Sequence, residues 1–169
     1  MLKLTTKLMT VQDHSLIPLI IKKIAWPDET ATLAFAQTLA ARLAIGNAMI
    51  ELSGDLGAGK TTFVRHLLKA LGVQGRIKSP TYAVLEPYAL PNLAISHFDF
   101  YRFDDPREWQ DAGFRELFAQ PGLKLAEWPE KVAGVLPVAD LRLAIEPLAD
   151  DARRVTLEAA TPRGLALLP

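Results

Sequence analysis

The chain has 169 residues, half of them hydrophobic, with 19 Lys and Arg against 19 Asp and Glu and no cysteine. That length suits one domain with a sizeable core. The balanced charge argues against a protein that grips a polyanion by itself, so any RNA contact is read as indirect. The missing cysteines exclude a disulfide framework, a thiolate zinc site and a cysteine nucleophile. The mildly basic start, Met1 to Met9, leads into no apolar core of signal-peptide length, and no stretch could span a bilayer. The reading is a soluble cytoplasmic protein with no membrane association.

In chain order, the isoleucine-rich run Ile17 to Ala25 predicts a first strand, with Lys22 and Lys23 turned to water or an edge, and Trp26-Pro27-Asp28-Glu29-Thr30 breaks it. From Ala31, Leu33, Ala36, Leu39, Ala40 and Leu43 recur at helical spacing and stop at Gly46. Ala48 to Leu52 is an apolar strand. Gly54-Asp55-Leu56-Gly57-Ala58-Gly59-Lys60-Thr61-Thr62 follows it and opens a helix that ends at Leu71-Gly72.

After the polar segment Lys78-Ser79-Pro80-Thr81, a strand is expected over Tyr82 to Glu86, a turn over Ala89 to Asn92 and a further strand over Leu93 to Asp99. Asp105 as N-cap, Pro106 at the first helical position and Glu108 start a short helix before Gly113, and a second spans Phe114 to Phe118. Leu123 to Trp128 is a strand carrying the acid Glu127 near its end. Asp140 to Glu146 and Arg154 to Glu158 alternate with period two around Pro147, Asp150 and Asp151, the pattern of an antiparallel hairpin with one wet face.

The chemistry sits in G-x-x-x-x-G-K-T. Gly54, Gly57 and Gly59 free the backbone to turn its N–H groups toward one phosphate. The helix behind them adds its unpaired amides and the positive end of its dipole. Lys60 is placed to reach the β- and γ-phosphates and the Thr61 hydroxyl to ligate Mg²⁺. A strand before and a helix after the loop make a nucleoside triphosphate the ligand.

Such a site needs an acid that orders the metal. Asp99 and Glu127 each end an apolar strand and so point into the crevice at the carboxyl edge of an open sheet. One can hold Mg²⁺, directly or through water, while the other orients or deprotonates the attacking water. Thr81 is either a hydroxyl for Mg²⁺ or the γ-phosphate, or part of a strand-opening turn. His66 and His97 are read as packed or surface histidines, although His97 shares a face with Asp99. Trp109 and Trp128 are read as core or interface aromatics, and Arg153 and Arg154 as hairpin residues, with one arginine reaching a phosphate or a partner as the open alternative.

Four blocks together resemble the TsaE (YjeE) family, bacterial phosphate-loop ATPases of tRNA threonylcarbamoyladenosine biosynthesis. These are Gly54 to Thr62, Lys78-Ser79-Pro80-Thr81-Tyr82, His97-Phe98-Asp99-Phe100-Tyr101-Arg102, and Glu127-Trp128-Pro129-Glu130, in the family's order and spacing. The resemblance runs from about Ile21 to Ala159. It implies an α/β, three-layer phosphate-loop NTPase with a mixed, mainly parallel sheet and a C-terminal antiparallel hairpin. The extent of the resemblance divides the chain into an N-terminal extension, residues 1–20, whose flexibility is left open, and a single ATPase domain, residues 21–169.

By this resemblance the cofactors are ATP and Mg²⁺. The partners are the TsaB and TsaD proteins, which carry out threonylcarbamoyl transfer to tRNA (t6A37) while this chain hydrolyses ATP, slowly alone and faster in their company. Thr61, Glu127 and Asp99 form the metal side of the site, Thr81 lies toward the γ-phosphate, Trp128 sits beside the metal ligand, and Asp28-Glu29-Thr30 lies near the adenine. The chain departs from the family pattern in the longer segment before Ile21, with Met9 as an alternative start, and in Phe100 where leucine is usual. A small-molecule kinase with Arg102, Arg107 and Arg115 on a lid is the competing expectation, and a nucleotide-gated assembly factor is a third.

Overall fold

In the computed structural model, residues 4–9 and 17–169 are described. Among the described residues eight strands form one sheet: β1 (Leu4–Met9), β2 (Ile17–Trp26), β3 (Met49–Ser53), β4 (Leu85–Leu90), β5 (Leu93–Asp99), β6 (Leu123–Glu127), β7 (Leu141–Pro147) and β8 (Arg153–Ala159). Their spatial order is β1-β2-β8-β7-β3-β6-β5-β4. The helices are α1 (Glu29–Ala40), α2 (Lys60–Leu71), α3 (Arg107–Asp111), α4 (Phe114–Ala119) and α5 (Pro162–Leu167), with 3-10 turns at Leu43–Asn47 and Pro129–Val132.

The sheet is mixed, as expected. Its parallel part is the centre, β7-β3-β6-β5, and the pairings β1-β2, β2-β8, β8-β7 and β5-β4 are antiparallel. "Mainly parallel" therefore describes the centre that carries the loop and the acids, while the flanks are antiparallel. The buried runs of β3 and β6 are what a strand covered on both faces requires. Ile50, Leu52, Leu125, Leu143 and Leu157 turn to one face and pack with Phe63, Leu67 and Leu68 of α2 and Leu39 of α1. Phe98, Phe100 and Ala126 turn to the other and pack with Trp109 of α3 and Phe114 of α4. Three layers follow.

Local chemistry sets the element ends. Asp28 caps α1 by accepting from Ala31 N–H at 2.9 Å. The segment read from sequence as a break thus ends as the start of a helix. Gly72, with φ 106°, closes α2 while Gly72 and Val73 N–H donate to Lys69 and Leu68 carbonyls. Trp26, Phe35 and Phe63 meet with ring centroids 5.4 to 5.9 Å apart, tying β2 and α1 to the first turn of α2.

The strand expected at Tyr82 to Glu86 is displaced to Leu85–Leu90. Residues 81–83 are a turn closed by Val84 N–H donating to the Pro80 carbonyl at 2.6 Å, and Val84 has φ 66°, which no regular strand accommodates. Pro87 is tolerated because β4 is an edge strand. Of the stretch read as an extension, β1 and the first residues of β2 fall among the described residues and pair in antiparallel register, Leu4 opposite Lys22 and Met9 opposite Ile17. Residues 1–3 and 10–16, with the alternative-start reading of the segment before Met9 in part, lie outside them.

Candidate functional site

Parallel β3, β6 and β5 end at the same edge of the sheet, so Gly54, Glu127 and Asp99 converge there. Gly54 leaves β3 with φ 141°, and a Cβ on it would lie 2.3 Å from the Ile145 carbonyl oxygen, so only glycine fits beside β7. Gly57 and Gly59 also have positive φ, and Gly59 enters α2 as its N-cap in the left-handed region. The first-turn amides of α2 have no acceptor within the helix. Asp55, Leu56 and Gly57 are exposed at the loop tip, and Ala58 is buried beneath it.

Lys60 is only 4 % exposed. Its Nζ donates to the Gly54 carbonyl and, at 2.9 Å, to the Asp55 carbonyl, and it stands 4.0 Å from the centroid of the Trp128 ring. Burial pushes the ammonium below its ordinary value, opposed by the negative charges of Glu127, Glu130, Asp99 and Asp55. Trp128 takes the left-handed conformation, φ 58°, which turns the chain sharply after Glu127.

Asp99 and Glu127 are in-register neighbours on β5 and β6, each 2 % exposed. Glu127 accepts from Thr61 Oγ1, 3.0 Å from both Oε1 and Oε2, and from His97 Nε2 at 2.8 Å from Oε1. Asp99 accepts from Thr81 Oγ1 at 2.7 Å through Oδ2 and from Tyr101 N–H at 2.9 Å through Oδ1. Ser79 Oγ lies 2.8 Å from Thr81 Oγ1. Of the two alternatives for Thr81, the backbone is a turn and the hydroxyl nevertheless reaches the second acid. A cleft of about 200 Å³ is lined by Leu56, Lys60, Thr61, Thr81, Asp99 and Glu127 among others.

A second hollow, about 410 Å³, lies on the other side of Gly59 and Thr62, bounded by Trp26, Asp28, Glu29, Thr32 and Arg153. Thr30 does not line it: on the first turn of α1 it faces outward and is exposed, while Thr32 is buried and faces the hollow. Arg153 donates from Nε to the Ala58 carbonyl at 2.8 Å, so this hairpin residue braces the loop. The sequence places Arg153 on the hairpin but not against the loop, because the contact spans 95 residues. Of the arginines considered for a lid, Arg107 pairs with Asp105 at 2.6 Å and Arg102 stacks over exposed Tyr82, 3.9 Å from its centroid. His66 bonds Glu29 at 2.8 Å, joining α2 to α1.

Among the described residues no group of three or more acids or histidines forms a cation cage. A hydroxyl and a carboxylate at bonding distance, with a second carboxylate beside them, are instead the hard oxygen donors that suit Mg²⁺ carried on phosphate, which keeps much of its own water. Two buried carboxylates face one buried ammonium here, and a divalent cation fits that imbalance. No helix among the described residues is long and apolar enough to cross a membrane.

Residues 26–155 match the family model described as threonylcarbamoyl adenosine biosynthesis protein TsaE. The chain is 44 % identical over 142 residues to the tRNA threonylcarbamoyladenosine biosynthesis protein TsaE of Haemophilus influenzae, covering 82 % of this chain and 89 % of that one. It is 35 % identical to the Bacillus subtilis protein of the same name over 147 residues, 85 % and 90 % of the two chains. The crystal structure of Bacillus subtilis YdiB superposes with a TM-score of 0.70 at 30 % identity, over 87 % of this chain and 92 % of that one. With the family model covering most of the chain and its loop and both acids inside the match, this protein belongs to the TsaE family.

Proposed function

We propose that this protein is a Mg²⁺-dependent ATPase that binds and hydrolyses ATP in support of threonylcarbamoyladenosine formation on tRNA, acting with TsaB and TsaD, which perform the transfer. The observation that carries the reading is the convergence of the phosphate loop, Thr61–Glu127 and Thr81–Asp99 on one cleft. The names of its relatives supply the pathway.

On this reading, loop amides from Gly54 to Thr62 cradle the phosphates. Lys60 releases the Gly54 and Asp55 carbonyls and turns to the β- and γ-phosphate oxygens. Thr61 and Glu127, with Asp99 nearby, would hold Mg²⁺, which when bound neutralises charge on the phosphoryl oxygens. Asp99, held by Thr81 and the Tyr101 amide, orients the attacking water and accepts its proton at a carboxylate oxygen. The hollow beside Asp28, Glu29 and Thr32 takes the nucleoside. The cleft opens to solvent past exposed Leu56 and Tyr101, so water exclusion falls to a partner surface and turnover by the chain alone is slow.

The test is ATP hydrolysis by the purified chain, alone and with TsaB and TsaD, with Lys60→Ala as control. Slow turnover that the pair stimulates and the variant loses supports the reading. ADP formation that needs a small-molecule acceptor and ignores the pair makes the protein a kinase instead.

A further inference from the structure

We infer that His97 is a positioning residue for Glu127: its Nε2–H pins Oε1 and so leaves Oε2 as the oxygen that Glu127 presents to the cleft. The inference deepens the proposed function and rests on Glu127 working in the nucleotide site. On parallel β5 and β6, Asp99 lies opposite Glu127 and His97 opposite Leu125. Side chains two apart share a face, so His97 sits one pair deeper than Glu127, within diagonal reach of it. The resulting contact is 2.8 Å between a ring that is fully buried and a carboxylate 2 % exposed.

A carboxylate only accepts, so in this contact the ring nitrogen carries the proton. The other ring nitrogen, Nδ1, is buried with no partner among the described residues. A residue chosen to fill the space would be apolar and would leave no orphaned nitrogen. Glu127 is thus the polar contact that accounts for a histidine at this position.

Thr61 Oγ1 stands 3.0 Å from both carboxylate oxygens and does not distinguish them, whereas His97 touches Oε1 alone. The terminal torsion of a glutamate is broad. Without the imidazole the carboxylate can rotate and present either oxygen, or neither squarely, to the cleft.

The test compares wild type with His97→Gln, whose side-chain N–H still reaches toward the carboxylate, and His97→Leu, which fills the space without a donor. ATP is titrated into each in EDTA and in excess magnesium, with thermal unfolding to check the fold. All three should bind alike in EDTA, where loop amides and Lys60 carry the phosphates. In magnesium His97→Leu should lose about tenfold in affinity, the usual scale for a lost outer-sphere hydrogen bond, and His97→Gln should recover most of it.

Equal losses in both media, or a His97→Leu that tightens with magnesium as wild type does, overturn the inference. A second measurement needs no variant: ¹⁵N-detected NMR of the histidine rings should show a slowly exchanging proton on His97 Nε2, and its absence also overturns the inference. Wild type that binds no ATP would defeat the proposed function, a result separable from the ring measurement because that is made on the protein alone.

Discussion

Lys60→Met keeps the apolar stem of a buried side chain and removes its ammonium, and it isolates what that charge contributes to nucleotide affinity. In the structure Nζ bonds two neutral carbonyls, those of Gly54 and Asp55, beneath the Trp128 ring. To serve a triphosphate it must give these up for charged oxygens. The donor is charged in both sets of bonds, so each exchange gains only what an anionic acceptor adds over a neutral one, taken as about 1.25 kcal/mol from the difference between charged and ordinary hydrogen bonds, or roughly 2.5 kcal/mol for two. The expected loss in ATP affinity is therefore roughly fiftyfold, at about 1.4 kcal/mol per tenfold. Calorimetric titration of ATP into wild type and variant reads it directly. A variant within threefold of wild type, folded by circular dichroism, would mean that Lys60 stays on its own loop and never reaches phosphate.

The same ammonium sets a pH dependence. Burial holds its pKa below 10.5 and phosphate favours the charged form, so binding is strongest below the lowered value. Affinity should fall as pH rises through it toward 10.5, and Lys60→Met should be flat across that window. Gly54→Ala should lose roughly 3 kcal/mol of stability, read as a shift in urea midpoint, because its Cβ meets the Ile145 carbonyl at 2.3 Å and its φ is 141°. Asp99→Asn should lower single-turnover hydrolysis about a hundredfold or more while leaving ATP affinity within a few fold, the split expected of a group that handles the attacking water. Asp140→Ala, at the other end of β3, should destabilise by roughly 3 kcal/mol in urea and leave ATP affinity unchanged. Its carboxylate accepts from Thr161 Oγ1 at 2.6 Å and from Met49 N–H at 2.8 Å, a buried donor that the change leaves unmet.

Sequence pattern reaches furthest where one local rule decides the conformation. β5 runs over Leu93–Asp99 as its apolar run and terminal acid indicate, and α2 begins at Lys60 and ends before Gly72 because a glycine stands at each end. The β7–β8 hairpin follows from strict alternation. The pattern is less informative where tertiary contacts choose. The polar-to-apolar step at Tyr82 looks like a strand start, but the Pro80–Val84 hydrogen bond delays β4 by three residues. Helix α5 is short, and its cap, Thr161 donating to Asp140 and accepting from Gly164, depends on a residue in another element. Thr30 against Thr32 is a matter of helical phase: two residues rotate a side chain by more than half a turn, and the phase was fixed only once Asp28 capped α1.

The site divides along the same line. A terminal acid on an apolar strand marks Asp99 and Glu127 without knowledge of which strands are neighbours, whereas His97 gains its meaning only when β5 is placed beside β6. That adjacency also creates a difficulty that neither strand shows alone, since two buried carboxylates lie opposite each other in register. The fold keeps both by giving each its own donors: Thr61 and His97 for Glu127, Thr81 and the Tyr101 amide for Asp99. Hydroxyl and amide donors such as Thr61, Thr81 and the Tyr101 N–H stabilise a charge without cancelling it, so two carboxylates face the one ammonium of Lys60 in the cleft. A triphosphate arriving without a cation would meet that repulsion, while one carrying a divalent ion would relieve it. On the proposed reading, the paired acids therefore make the cleft selective for Mg·ATP over free ATP.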